Sequence, residues 1–480
     1  RFMLEQLKPA DTFNIVVYDS SVEAFRPELQ RADKKTLRAA RDFVEGIDAG
    51  GSTNIDAALQ TALRMLTDSS RPSYVLFLTD GLPTTGERNE LRIAENAKRA
   101  NRVRARLFCF GVGYDVNSRL LDRLASTNRG RSVYVRPNED IEESIARVAR
   151  ALADPVLTDL QLKFEFEKGG DESAPPAVYR VYPRELPDLF RGEQLVVVGR
   201  YRRAGKATVV LTGRQGDKKV RFEERVRFVR HSDDDTNSFV ASLWAARRIG
   251  EILDELDLHG KNQELIDELV DLSLRFGIMT PYTSFLANED TRLADSRRLS
   301  ETARRLVKHG FSLQTGQAAF AQREFKQALK SAEQLSRGAP AGAGVGGLPF
   351  GMSPGAPRSG WFGGAVGSKE LAAEEELEWT AHERVRRVGS KTFYWKQGLW
   401  RDATVTDDQA KNAVVVAQFS DEFFNLAARN GGRHAKYLTF DEPVLVNLGG
   451  RTYKIVPAKD SEPTKAEPPQ SERQHSRPKN

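Results

Sequence analysis

The sequence predicts an α/β protein: a doubly wound, mostly parallel sheet over residues 1–154, followed by smaller β and α units. Two observations carry this. Short apolar strand patterns alternate with helical patterns of ten or so residues through the first third of the chain, as in a parallel sheet with helices on both faces. After Asp154-Pro155 the pattern changes to apolar–polar alternation, the mark of antiparallel strands.

Taken in order, a helix over Arg1–Leu7 precedes a strand over Thr12–Tyr18. A helix over Lys34–Ile47 follows, with Leu37, Ala40, Phe43, Val44 and Ile47 on one face. Then come a helix over Asn54–Leu66, a strand over Ser73–Thr79, a helix over Glu90–Asn101 and a strand over Leu107–Val112. A helix over Ser118–Ser126, a strand over Ser132–Arg136 and a helix over Ile141–Leu152 complete this unit. Residues 155–232 read as an antiparallel, β-sandwich-like region with strands over Leu160–Glu167, Val178–Tyr182, Gln194–Arg202, Ala207–Thr212 and Val220–Phe228. Residues 233–337 are helical, with Phe239, Leu243, Ala246, Ile249, Leu253 and Leu256 on one stripe. The segment 338–368 is rich in Gly and Pro and cannot bury enough apolar surface to offset its ordering entropy, so it reads as a linker. Residues 369–457 form a small C-terminal α+β domain, large enough to fold alone, and the polar tail 458–480 reads as disordered.

At 480 residues the chain exceeds one ordinary core. Its net charge of +6 arises from 73 basic against 67 acidic residues, interspersed nearly everywhere, which argues for a mixed solvated surface and against a nucleic-acid groove. The single cysteine, Cys109, lies in an apolar strand with no disulfide partner and reads as a small buried hydrophobe. No run of 18 apolar residues suggests a membrane span. The chain opens on Arg1 inside a helix pattern, so it reads as a fragment. A signal or membrane anchor would then lie upstream.

Two segments carry the candidate chemistry. Gly50-Gly51-Ser52-Thr53-Asn54-Ile55 is a glycine turn that presents a hydroxyl at the start of a helix. Tyr74–Asp80 is an apolar strand that delivers a carboxylate at its C-terminal end, where open α/β sheets bind ligands. Thr53 and Asp80 are hard oxygen donors suited to Mg²⁺ or Mn²⁺ with several waters. Each also has a plain structural role: Thr53 or Asn54 as a helix N-cap, Asp80 as a turn residue bonded to its own backbone.

Together these segments resemble the von Willebrand factor type A domain. That family builds a metal-ion-dependent adhesion site from an Asp-x-Ser-x-Ser loop after the first strand, a Thr and an Asp. The second and third loops look like Gly-Gly-Ser-Thr53-Asn-Ile and Thr-Asp80-Gly. The resemblance implies that Thr53 is a direct ligand and that Asp80 acts directly or through water. The first strand and its loop are missing, so the metal site is expected to be incomplete. Asp19-Ser20-Ser21 follows the second strand with a different spacing and is set outside the metal set.

The resemblance continues through Leu243–Gly250 and Ser273–Leu286. These look like the region after the A domain in inter-alpha-trypsin inhibitor heavy chains and their bacterial relatives, which carry a VIT domain before it. The linker and lone cysteine point to a bacterial member. The Asp-Pro-His-Phe sequence through which heavy chains couple to hyaluronan occurs nowhere, although Asp154-Pro155 is present.

Enzyme chemistry finds no support. His231, His259, His309, His382, His434 and His475 are scattered, and no Gly-x-Ser-x-Gly elbow or Walker loop occurs. Glu374–Glu376 reads as a solvated charge run. Trp361, Trp379, Trp395 and Trp400 read as packing residues before they read as a binding face. The expected function is non-enzymatic, metal-ion-dependent adhesion at the cell envelope. A partner protein's acidic side chain would be held through Mg²⁺, without nucleic acid and with membrane anchoring only through upstream sequence. The alternatives are a structural spacer presenting the C-terminal module, or an A-domain cofactor of an AAA-type ATPase.

Overall fold

A computed structural model describes residues 2–48, 50–152, 155–167, 175–216, 218–231, 237–260, 262–310, 315–332 and 384–458. The linker expected over 338–368 lies outside the described residues, as do Trp361, Trp379, Glu374–Glu376 and, Ala458 apart, the expected tail.

Helix α1 (Phe2–Gln6) leads into four short strands, β1 (Thr12–Phe13), β2 (Val16–Tyr18), β3 (Val22–Ala24) and β4 (Gln30–Arg31). The one strand expected over Thr12–Tyr18 is thus divided. Asn14 divides it: its amide group donates to the Arg26 and Glu28 carbonyls, while its side-chain oxygen accepts from the Ile15 and Arg26 backbone N–H groups. β1 pairs with β4 and β2 with β3, both antiparallel. Next come α2 (Lys34–Glu45), α3 (Ile55–Arg64), β5 (Tyr74–Thr79), α4 (Glu90–Ala100), β6 (Arg106–Val112), α5 (Ser118–Thr127), β7 (Ser132–Val135) and α6 (Ile141–Leu152). The side chains of Asp33, Asn54, Asn89 and Asn117 accept first-turn N–H groups of α2, α3, α4 and α5, satisfying donors that have no partner inside the helix.

β5, β6 and β7 form a parallel sheet. Arg106 to Gly111 of β6 are buried without interruption, as expected of a strand covered on both faces. Beyond the outer edge of β5 stands β2. The Tyr18 ring stacks on Phe77 at 5.7 Å, and its hydroxyl donates to the Leu78 carbonyl at 2.7 Å. Ile55, Leu59, Leu63, Phe77, Leu107 and Leu120 form the heart of this core.

The antiparallel region holds β8 (Pro155–Phe166), β9 (Val178–Tyr182), β10 (Leu189–Phe190), β11 (Val198–Tyr201), β12 (Gly205–Gln215) and β13 (Lys218–Phe228). They form a four-stranded sheet in the order β10-β8-β12-β13 and a separate β9-β11 pair. The strand expected over Gln194–Arg202 contracts to β11, whereas the next two lengthen into one hairpin with 11-residue arms. Arg106, at the start of β6, ties this region to the parallel sheet through Asp188 at 2.7 Å and Asp159 at 3.1 Å.

Four helices follow, α7 (Ser238–His259), α8 (Gln263–Phe276), α9 (Ser296–Gly310) and α10 (Gly316–Ser331). The Arg-Arg-Ile-Gly segment of α7 has a packing explanation. Arg247 is buried and donates to the carbonyls of Tyr182, Val196 and Ala332, three separate chain segments. Gly250 lets α10 approach, because a Cβ there would lie 2.8 Å from Lys330 Cγ.

Helix α10 returns across the parallel-sheet unit. Phe320 enters that core, edge-on to Tyr134 at 5.0 Å and Tyr114 at 5.5 Å. Beside it lies a buried cluster of charges. Arg323 pairs with Asp257 at 2.6 Å, and Lys326 reaches Asp122 at 2.6 Å, Asp254 at 2.9 Å and Asp257 at 3.2 Å. Burial works against every charge in the cluster. Lys326 and Lys330 nonetheless hold the Asp254 carboxyl well below its usual range, and Asp122 with Asp254 pushes the Lys326 ammonium up.

The last sheet has the order β14-β15-β16-β18-β19-β17, from β14 (Val385–Val388), β15 (Lys391–Lys396), β16 (Leu399–Asp402), β17 (Val414–Ala417), β18 (Val444–Leu448) and β19 (Arg451–Val456). The helix Asp421–Ala428 covers one face, and its Phe423 and Leu426 join a core with Trp400 and Phe440. From the other face β15 caps the C-terminal end of α8. Tyr394 donates to the Ser273 and Leu274 carbonyls, Thr392 to Arg275, and Arg387 of β14 to Phe276. The Ser273 carbonyl also accepts the Gly277 N–H, while the Leu274, Arg275 and Phe276 carbonyls are ones a helix end leaves without an intrahelical partner, and the cation suits the negative end of the helix dipole. Lys396 extends the seam by donating to the Leu286 and Asn288 carbonyls. The unit expected to fold alone therefore shares Val385 and Tyr394 with the core of the helical region.

Two outcomes follow. Lys326→Ala, which leaves Asp122, Asp254 and Asp257 buried with too few cations, is expected to cost about 3–5 kcal/mol, measured by urea unfolding. Burial pushes the Lys396 ammonium down to about 8 from its ordinary 10.5. Between those two values the unfolded chain binds the proton more than the folded one, so stability should rise with pH across that window. Unfolding curves for Lys396→Met should lose that rise.

Candidate functional site

The structure brings three loops together at the C-terminal end of β5. The first is Asp19-Ser20-Ser21 after β2, the second Gly50–Asn54 before α3, and the third Asp80–Gly86 after β5. Their contacts begin at Thr53. Its N–H donates to Thr84 Oγ1 at 2.7 Å, and its carbonyl accepts the N–H groups of Thr84 at 3.0 Å and Thr85 at 3.3 Å. Ser52 Oγ accepts from Thr85 Oγ1 at 2.5 Å. The segment after Asp80 is thus laced to the segment that carries Thr53.

The plain structural roles open to Thr53 and Asp80 fall to their neighbours. Asn54 is the N-cap of α3, its side-chain oxygen accepting the Ala57 N–H at 3.2 Å. The turn after β5 is held by the Thr79 hydroxyl, which donates to the Gly81 carbonyl at 3.3 Å and accepts the Gly81 N–H at 3.4 Å. No hydrogen bond to Thr53 Oγ1 or to the Asp80 carboxylate is made among the described residues. Thr53 Oγ1 faces the turn after β5: a Cβ on Gly81, the residue after Asp80, would lie 3.9 Å from it. Asp80 is exposed, and so is Leu82 beside it, at 39%.

Asp19 arrives at the same place. Its carbonyl accepts the Asn54 N–H at 2.8 Å, and its Oδ2 would be only 2.8 Å from a Cβ on Gly51. Gly51 has φ of 80°, so glycine is required there on both counts. Asp19 Oδ1 accepts the Ser21 N–H at 2.6 Å and the Ser21 hydroxyl at 3.0 Å. Those bonds hold its carboxyl below the usual range. Gly86, with φ of 72°, packs over Asn54, where a Cβ would lie 2.5 Å from Asn54 Oδ1.

Sequence reasoning singles out Thr53 and Asp80 but not the clamp of Thr84, Thr85 and Gly86. The Thr-Thr-Gly string after Leu82-Pro83 was its one available signal. Tyr18 was also missed. Burial, reinforced by the Asp80 charge, pushes its phenol up, so it stays a hydrogen-bond donor to the strand end that carries Asp80. Among the described residues no three His, Cys, Asp or Glu side chains form a metal-holding group. Any hard cation at this place would rest on one carboxylate, one hydroxyl and water or a ligand's oxygen. Cys109 is fully buried, which pushes its thiol up and makes it a poor nucleophile. Trp395 and Trp400 pack on each other across the β15–β16 hairpin at 5.3 Å.

Residues 1–134 match the family model for the von Willebrand factor type A domain. The chain is 28% identical over 331 residues to human inter-alpha-trypsin inhibitor heavy chain H4, covering 64% of this chain and 35% of that protein. It is 27% identical over 330 residues to heavy chain H1 of Mesocricetus auratus, again covering 64% and 35%. The chain therefore spans about a third of the length of the curated relatives it matches. Among solved structures, a von Willebrand factor type A protein from Catenulispora acidiphila aligns at 17% identity, covering 57% of this chain and 73% of that one, with a TM-score of 0.39. The ArnB paralog VWA2 from Sulfolobus acidocaldarius aligns at 18% identity, with 63% and 80% covered and a TM-score of 0.34.

Because the Gly51 turn has no room for a side chain, Gly51→Val should lower stability by about 1–3 kcal/mol. Thermal unfolding measures it. The same variant should raise amide exchange at Asn54, whose N–H bonds to the displaced Asp19 loop.

Proposed function

We propose that this chain is a non-enzymatic protein–protein interaction protein. In this reading the Thr53 and Asp80 loops hold Mg²⁺ or Mn²⁺, and the partner contributes an acidic side chain. One observation carries it: Asn54 and Thr79 take over the capping and turn bonds, leaving the Thr53 hydroxyl and the Asp80 carboxylate uncommitted on two loops that are laced together. Hard oxygen donors of this kind suit a hard cation that keeps several water ligands. When bound, the cation supplies an open coordination position for a carboxylate oxygen. Thr53 and Asp80 orient that position, and the Thr84–Gly86 clamp keeps Thr53 in place. Asp19 acts as a positioning residue, since its carboxylate is engaged by Ser21 and its carbonyl by Asn54. Exposed Leu82 offers the partner an apolar contact beside the charge.

The similarity to heavy chains supports an extracytoplasmic location, which cell fractionation tests. Among the described residues no helix is long and apolar enough to cross a membrane. A second reading, partner capture by the C-terminal sheet, draws on Val415, Phe419 and Phe424, which are 60%, 70% and 56% exposed around edge strand β17. Capture of that kind would be insensitive to chelator.

Mn²⁺ titration of the chain followed by electron paramagnetic resonance, with Mg²⁺ as competitor, tests the first reading. Thr53→Ala should weaken Mn²⁺ binding about tenfold and Asp80→Ala more, both with unchanged circular dichroism. Equal Mn²⁺ affinity in the parent and in Asp80→Ala would sink it.

A further inference from the structure

The largest concentration of charge lies far along the chain from Thr53 and Asp80. Residues 198–231 contain eleven Lys and Arg against three Asp and Glu, an excess greater than the +6 of the whole protein. Their geometry sharpens this. β13 is the outer strand of its sheet, and on one face it presents Lys219, Arg221, Arg225 and Arg227, interrupted only by Glu223. All five of these residues are exposed. At about 3.3 Å per residue the row runs for roughly 26 Å.

The register sets like charges against each other. Arg214 of β12 stands opposite Lys219, and Lys206 opposite Arg227. Like charges directly opposite each other in an antiparallel pair destabilise it. Arg221 is ion-paired with Glu223 within the row, and the five residues together keep a net charge of +3 that an anionic surface would attract. The other face of β13 carries a second unusual feature. Phe222 is 52% exposed, and near the root of the hairpin Tyr201 and Val229 are 42% and 43% exposed.

We infer that the β12–β13 hairpin is a peripheral docking surface for a bilayer rich in anionic lipid, with β13 laid edge-on against it. Cations beside exposed aromatic and aliphatic side chains are what interfacial binding requires. The cations are drawn to the negative surface potential, and the apolar side chains enter the boundary between headgroups and acyl chains. A soluble polyanion would use the cations and leave Phe222 without a role. Nucleic-acid strands would want aromatic stacking on the charged face, and that face of β13 has none. Each cation near such a surface contributes about fivefold to partitioning. The proposal is independent of the metal site, and it makes the membrane a second partner.

The test is co-sedimentation of the 480-residue chain with vesicles of 30% phosphatidylserine in phosphatidylcholine, against pure phosphatidylcholine, at 0.1 M NaCl. Binding to the anionic vesicles alone is expected, falling as salt rises. The triple variant Arg221→Glu, Arg225→Glu, Arg227→Glu should lose at least a hundredfold. A charge-matched control on the exposed face of α9, Arg298→Glu, Arg304→Glu, Arg305→Glu, should lose less than threefold. Phe222→Ser keeps the charge and should lose about fivefold on vesicles while its affinity for a heparin decasaccharide is unchanged. Equal losses from the two triple variants would reduce the effect to net charge and overturn the proposal. So would no preference for anionic vesicles, or a Phe222→Ser chain that partitions like the parent. All substituted positions are exposed, and circular dichroism of each variant verifies the fold.

Discussion

The structure depends on the buried charges that α10 brings to the rest of the molecule. Arg323 and Lys326 are almost fully buried, as are Asp122 and Asp257. Taking such groups from water costs several kcal/mol each, and only close pairing offsets it. The pairing can be met in one arrangement, in which α10 lies on α7 while α5 supplies Asp122. Phe320 then fills a position in the core of the parallel sheet that its own helices leave open. The ion cluster contributes little net energy compared with an apolar seam of equal size, but a mispaired arrangement is severely penalised. That asymmetry gives the packing its specificity.

A similar division of labour shapes the candidate site. A hydroxyl at the start of a helix is ordinarily used as a cap, and a carboxylate after a strand ordinarily closes its own turn. Here Asn54 and Thr79 do both tasks, so the Thr53 backbone is held by Thr84 and Thr85 while the Thr53 and Asp80 side chains make no hydrogen bond among the described residues. Gly51 and Gly86 make this packing feasible, because each admits a neighbouring side chain where a Cβ would collide. The basic hairpin shows the same separation on a larger scale. A protein with nearly balanced charge concentrates its cationic excess in the β12–β13 hairpin and the segments that flank it.

The parallel-sheet unit was the most legible part of the chain. β5, β6 and β7 are mostly apolar runs, and the helices α4 and α5 between them begin on Asn and keep one apolar face. Local chemistry dictates those boundaries, so they can be read from sequence. The Thr12–Tyr18 strand was misjudged because Asn14 divides it by bonding to Arg26 and Glu28, residues far enough away that no local pattern reveals them. The hairpin β12–β13 is longer than alternation indicates because the added residues of β12 are Gly or polar and those of β13 are Lys218 and Lys219, charges that an edge strand tolerates. Thr53 and Asp80 were legible from their loops. The clamp that frees them was not, since it joins residues about thirty positions apart.

By itself the sequence determined the order and type of most elements, the buried nature of Cys109 and the two oxygen groups worth attention. Periodicity, helix caps and turn residues are local properties. Tertiary structure alone decided that Asn54 and not Thr53 caps α3, that the Asp19 loop abuts the Gly51 turn, that β15 caps the end of α8, and that α10 closes over α5. Each of those outcomes turns on satisfying a buried charge, an unpaired carbonyl or a close backbone approach between distant segments, and such demands exist only once the segments have met.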